Sequence, residues 1–189
     1  MCIRDRGIPT VTGAMMYPIV LNEYSPKFPQ VELHLSDAGN LDVIKQIDNG
    51  ELELGFVSLS SQLGAHFEQM PLARNQMSVI ASTRHPFSKQ DAVSLAELEK
   101  EDIIMYEKGE SYTELMLEEQ FRNHGLTLRV RHRIQHSVTL FEMVAQNHGV
   151  SVILNDRPES VNSHPGIVIR PFEEPVWLET GLILSLIHI

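Results

Sequence analysis

Gly7-Ile8-Pro9-Thr10, Tyr17-Pro18-Ile19, Phe28-Pro29-Gln30-Val31-Glu32-Leu33 and Gly50-Glu51-Leu52-Glu53-Leu54-Gly55-Phe56-Val57 follow one another at short intervals in the opening third of the chain. Gly7 to Pro9 reads as the end of a strand. Met15, Met16, Ile19, Val20 and Tyr24 have helical spacing. Pro18 is tolerated only near a helix start, which sets the regular helix from about Pro18 to Tyr24. Val31, Leu33 and Leu35 alternate with polar residues, as a strand does. Gly39-Asn40 opens a helix with Leu41, Ile44 and Ile47 apolar, closed by Asn49-Gly50. Leu52 to Leu59 is a nearly continuous apolar strand, suited to a parallel sheet covered on both faces. Strands separated by helices of about 10–15 residues predict βαβ crossovers and an α/β fold.

The pattern continues. Met77–Ala81, Ile103–Tyr106, Leu128–Ile134, Val150–Leu154, Ile167–Ile169 and Trp177–Leu184 read as strands. Arg84-His85-Pro86 is a turn and Leu95–Leu98 a short helical turn. A helix with Tyr112, Leu115, Leu117 and Phe121 apolar ends at His124-Gly125, with glycine in the left-handed cap position. Ser137 is expected to cap a helix carrying Leu140, Phe141, Val144 and Ala145, stopped by Gly149.

The chain has 189 residues, a formal net charge of −10, 42% apolar residues and a single cysteine, Cys2. That is an ordinary globular profile, large enough for a core without a staple. One cysteine rules out a disulfide within these residues and fits a reducing compartment. A strongly acidic chain is a poor nucleic-acid binder, because affinity for DNA comes mostly from neutralising phosphates. No apolar run is long enough to span a bilayer and no secretory leader is visible, so a cytoplasmic location is expected. There is no G-x-S-x-G elbow, no P-loop and no G-x-G-x-x-G, so neither an enzyme nor a cofactor is expected.

Five segments together carry a family resemblance: Tyr17-Pro18-Ile19-Val20 with Phe28-Pro29-Gln30-Val31; Ile47-Asp48-Asn49-Gly50-Glu51-Leu52-Glu53-Leu54-Gly55; Ala81-Ser82-Thr83-Arg84-His85-Pro86-Phe87; Leu95-Ala96-Glu97-Leu98; and Phe141 through Leu154. In this order they resemble the C-terminal effector-binding domain of LysR-type transcriptional regulators, over about Gly7 to Leu184. Departures are Glu53 where the family usually has Asp, Asn147 where it has a second Gly, and Asn155 where it has Pro. The resemblance implies two Rossmann-like lobes with a ligand cleft between them, the type 2 periplasmic-binding-protein fold. Lobe one is then residues 7–74 plus 168–184 and lobe two residues 75–167. Residues 1–6 and 185–189 read as non-native ends. The resemblance also implies a small-molecule effector, homo-oligomerisation, and a DNA-binding helix-turn-helix domain missing from this chain. A stand-alone solute-binding protein of the same fold is the alternative.

Open α/β sheets bind ligands beyond the carboxyl ends of their strands, where helix N-termini supply free N–H groups. That rule nominates Pro9, Thr10 and Thr12, Gly39 and Asn40, Lys108, Ser111 and Tyr112, and His136 and Ser137 as ligand-binding residues. Capping alone also accounts for Thr10, Asn40 and Ser137. By resemblance, Thr10, Asn40 and the Ser111-Tyr112 loop fall where family members contact effectors. Helix N-termini with Lys108 and His136 favour an organic acid or an amino-acid-like anion. Nine histidines show no metal-ligand spacing, so no metal is expected. Arg129, Arg131 and Arg133 share one strand face, read as solvated, with an anion or subunit contact as the sharper option.

Overall fold

The computed structural model describes residues 2–9, 18–59, 63–107, 112–154 and 164–186. The chain divides into two compact units: Met1–Arg74, Gly109–Tyr112 and Glu179–Ile189 form one, Asn75–Lys108 and Thr113–Leu178 the other.

In the first unit, β1 (Cys2–Pro9) lies between β2 (Val31–Ala38) and β3 (Leu54–Leu59), parallel to both. Residues Cys2–Arg6, read from sequence as a non-native end, pair in register with Val31–Leu35. β9 (Trp177–Ser185) runs antiparallel on β3, and β4 (Phe67–Ser82) follows β9 in the strand order. The helix expected from Pro18 to Tyr24 is present, α-helical at Pro18 and Ile19 and widened to a π-helical turn at Val20–Tyr24, where the Ser25 N–H donates to the Val20 carbonyl five residues back.

The helix α1 (Asn40–Asp48) covers this sheet. Its buried face is Asn40, Val43 and Ile47 rather than Leu41, Ile44 and Ile47. Val43 and Ile47 pack with Leu52, Val57, Leu59, Phe67 and Ile183 in the unit's core. The i, i+3, i+7 spacing of that face carries Asn40 into the interior with them.

In the second unit, the latter half of β4 sits between β7 (Ser151–Leu154) and β8 (Ile167–Pro171), antiparallel to both. β8 therefore belongs here, and residues 168–178, assigned from sequence to lobe one, fall in the second unit because Ile167–Pro171 pair with Ser78–Ser82. β5 (Ile103–Tyr106) and β6 (Val130–Ile134) pair in parallel. Both faces of the sheet are covered. Met77, Val79 and Ala81 pack in one core with Leu117 and Phe121 of α3 (Thr113–Asn123), which follows the short helix α2 (Leu95–Leu98) in the chain. Ile80 and Ile104 pack in another, against Leu140 and Val144 of α4 (Ser137–Ala145).

Local chemistry fixes the ends of these elements. Ser94 and Glu97 form a reciprocal capping box at α2, and the Ser94 backbone N–H, first of the bonds to that carboxylate, holds Glu97 below its ordinary pKa. At the His85-Pro86 turn, His85 Nδ1 accepts the Phe87 N–H at 3.2 Å while Nε2 faces Glu101 at 3.3 Å. Three helices end alike, each with paired bonds back into its last turn around one left-handed residue. That residue is Gly50 after α1 and Gly125 after α3, but Asn147 after α4, with φ 64°. Gly149 was expected to stop α4; Asn147 does so, two residues earlier. Asparagine tolerates this conformation at a cost glycine avoids. Asn147→Gly is expected to stabilise the protein by about 0.5–1 kcal/mol, read as a higher denaturant midpoint.

Candidate functional site

The carboxyl ends of the parallel strands and the helix N-termini beside them place the nominated residues as follows. Pro9 is the last residue of β1, and Gly39 is the N-cap of α1. Asn40, the first residue of α1, is 3% exposed. It is not a cap. Its Oδ1 accepts the backbone N–H of Ser58 in β3 at 2.8 Å, tying the start of α1 to the adjacent strand end. Its Nδ2 is buried with no hydrogen-bond partner among the described residues. An unpaired buried donor is costly, on the order of 1–3 kcal/mol, and calls for an explanation.

Tyr112, which belongs to the first unit, is buried immediately before α3 in the chain. His136, not Ser137, is the N-cap of α4, and it makes no side-chain cap bond; Ser137 is the first helical residue. Such boundaries shift by a residue when no cap geometry fixes them. The first-turn N–H groups of α4 thus have no side-chain cap. Thr10, Thr12, Lys108 and Ser111 lie outside the described residues.

Glu114 and Tyr106 were missed by the sequence reading, and Arg133 was singled out only as one of three arginines on a strand face. Glu114 stands in the first turn of α3, on the buried stripe it shares with Leu117 and Phe121. Arg133 near the end of β6 grips it with both terminal nitrogens, Nη1 to Oε2 at 2.7 Å and Nη2 to Oε1 at 2.6 Å, and Nη1 also donates to the Tyr106 carbonyl at 3.3 Å. Arg133 was read with Arg129 and Arg131 as a solvated face. Arg129 and Arg131 are exposed, but Arg133 is folded onto the sheet by this pair, which also raises its already high pKa. Burial pushes the Tyr106 phenol up to about 12. The signal for Glu114 was available. An acid spaced with two core residues on one helix face needs a buried partner.

The two units repeat one device. In each, a polar residue in the first turn of a helix is turned into the core and bonded to the neighbouring strand: Asn40 to β3, Glu114 to β6. A shallow depression of about 270 Å³ in the second unit, lined by residues 93–96, His124, Leu126 and residues 172–174, includes none of the nominated residues. Among the described residues no group of three or more His, Cys, Asp or Glu is placed to hold a metal ion, and no helix is long and apolar enough to cross a membrane.

The family of LysR substrate binding domains matches residues 7–185. The chain belongs to this family. Among curated relatives, the LysR-family chain is 29% identical over 146 residues to the HTH-type transcriptional activator CmpR of Synechocystis sp., covering 75% of this chain and 46% of the relative. It is 26% identical over 168 residues to the DNA-binding transcriptional dual regulator OxyR of Escherichia coli, covering 89% of this chain and 54% of the relative. The chain thus spans about half the length of the curated relatives it matches. Of solved structures, the regulatory domain of Synechocystis CcmR in complex with 2-PG superposes with a TM-score of 0.83 at 24% identity, over 98% of this chain and 88% of that one. The effector-binding domain of QuiR in complex with shikimate gives 0.86 at 16% identity, over 99% and 88%. These likenesses show the fold, the type 2 periplasmic-binding-protein fold of LysR-type effector-binding domains.

Proposed function

We propose that this chain is the effector-binding and oligomerisation domain of a LysR-type transcriptional regulator. A small metabolite, an organic acid or amino-acid-like anion, binds in the inter-lobe cleft that the family implies. Binding changes how helix-turn-helix domains outside this chain sit on an operator. The observation that carries the reading is the family match over residues 7–185. Shifting a regulator requires only that the effector have different affinity for two arrangements of the protein. The net charge of −10 leaves DNA contact to another part of the protein.

Several groups at the strand ends support an acceptor-rich ligand. Asn40 Nδ2 is a buried donor without a partner among the described residues. The first turn of α4 lacks a side-chain cap, and a helix N-terminus favours a negative group. Lys108, Ser111, Thr10 and Thr12 belong to this proposal by position in the sequence. Exposed apolar side chains in the first unit, Ile19, Leu21, Phe28, Met70 and Leu72, suit contact between subunits. Relatives include hydrogen peroxide-inducible gene activators. A response through a disulfide within these residues needs two cysteines, and Cys2 is alone.

The coding DNA upstream of Gly7 tests the regulator reading. A helix-turn-helix segment in frame is expected there. A secretory leader directly before Gly7 overturns it in favour of a free-standing solute-binding protein.

A further inference from the structure

The Glu114–Arg133 pair is placed where it can choose between ligands. A carboxylate on the core face of a helix is held there against a desolvation cost of several kcal/mol, on the order usual for buried ions. Glu114 is 9% exposed at its side chain and Arg133 28%, so the carboxylate is inside and the guanidinium reaches the surface. The two-pronged contact at 2.6 and 2.7 Å is the geometry by which arginine takes a carboxylate or phosphate from a ligand. Glu114 also stands in the first turn of α3, where the helix dipole favours a negative group. The bond from Nη1 to the Tyr106 carbonyl also ties the guanidinium to the end of β5. The guanidinium at the end of β6, which could draw an acid group, is therefore occupied by the chain's own carboxylate. Glu107 and Glu118 add further negative charge around Arg133.

We infer that Glu114 is a specificity-determining residue: a built-in counter-ion that occupies Arg133 and keeps that guanidinium from taking an acid group. This rests on reading the chain as an effector-binding domain. The part of the effector received there is uncharged or carries an ammonium group. Its acid group is left to other donors. Replacing the carboxylate by an amide of the same shape turns Arg133 into an anion receptor.

Inorganic phosphate is the probe, titrated at constant ionic strength with chloride as the control. Melting temperature and the arginine side-chain NMR signals of 15N-labelled protein are followed. In the wild type, phosphate is expected to leave the Arg133 signals in place and to give no saturable stabilisation. In Glu114→Gln, phosphate is expected to bind at least about tenfold more tightly, to move the Arg133 signals, and to lose both effects when Arg133→Gln is added. Saturable phosphate binding at Arg133 in the wild type overturns the inference, as does a folded Glu114→Gln that takes up no phosphate. The wild-type titration needs no variant and decides the matter alone if Glu114→Gln does not fold. The natural effector enters neither arm, so a failure here leaves the effector-binding reading standing, and the reverse also holds.

Discussion

Gly149→Ala is expected to cost about 3–5 kcal/mol, a large fraction of the roughly 5–15 kcal/mol that holds a domain folded. Gly149 has φ 153°, a region in which a side chain is strained by about 1–3 kcal/mol. A Cβ added there runs into the backbone carbonyl of Asp102. Neither side of that contact can yield. The same carbonyl accepts the Val150 N–H at 3.0 Å, and the Val150 carbonyl in turn accepts the Ile104 N–H at 2.8 Å. Val150 is fully buried with Ile103, Met105 and Val152 in one core. The chain must pass this close to Asp102 for β7 to continue beside β5, so the collision is with the scaffold. A urea midpoint measurement on the variant checks it. A loss under about 1 kcal/mol would show that the backbone here can relax, contrary to the close approach described.

Arg133→Met is expected to cost about 3 kcal/mol, because it leaves Glu114 buried and unpaired. The partial exposure of Arg133 keeps the figure at the low end of the range for buried pairs. The companion result separates this cause from lost packing. Glu114→Leu combined with Arg133→Met removes both charges, and is expected to recover all but about 1 kcal/mol of the loss, since an apolar replacement of a buried pair is often neutral. A double variant no more stable than Arg133→Met assigns the loss to packing of the guanidinium on β5 and β6 instead.

Most strands were legible because burial on both faces leaves unbroken apolar runs such as Val79 to Ala81 and Val152 to Leu154. Helix ends were legible where glycine marks them, as at Gly50 and Gly125. The first ten residues of β4 were not read as strand. From Glu68 to Leu72 they are exposed without alternation, and Pro71 lies among them, so neither period nor propensity betrays the strand. The division between units was misplaced near β8 because partner choice among strands is a long-range property that Ile167–Ile169 do not encode locally.

At the strand ends the residue positions were legible and their roles were not. Asn40 reads as a cap by type and place, yet a rotation of α1 by one residue about its axis turns its amide onto Ser58. Glu114 was passed over because Tyr112, Leu115, Leu117 and Phe121 suggest a different apolar stripe. Leu115 is exposed, and Glu114 takes its place inside because Arg133 is there to meet it. In both cases the decisive partner comes from the next strand along the chain, beyond the reach of a helix-periodicity reading.

The central claim is that these strand ends bind a small acid. The most direct measurement is a thermal-shift screen of organic acids and amino acids against the 189-residue chain and against Asn40→Ala. At least one compound is expected to raise the wild-type melting temperature, by the equivalent of about 2.7 kcal/mol at a hundred times its Kd, and to lose at least about tenfold in affinity when the Asn40 amide is removed. A folded wild-type chain that no compound shifts, or a compound whose effect is untouched by Asn40→Ala, contradicts the account.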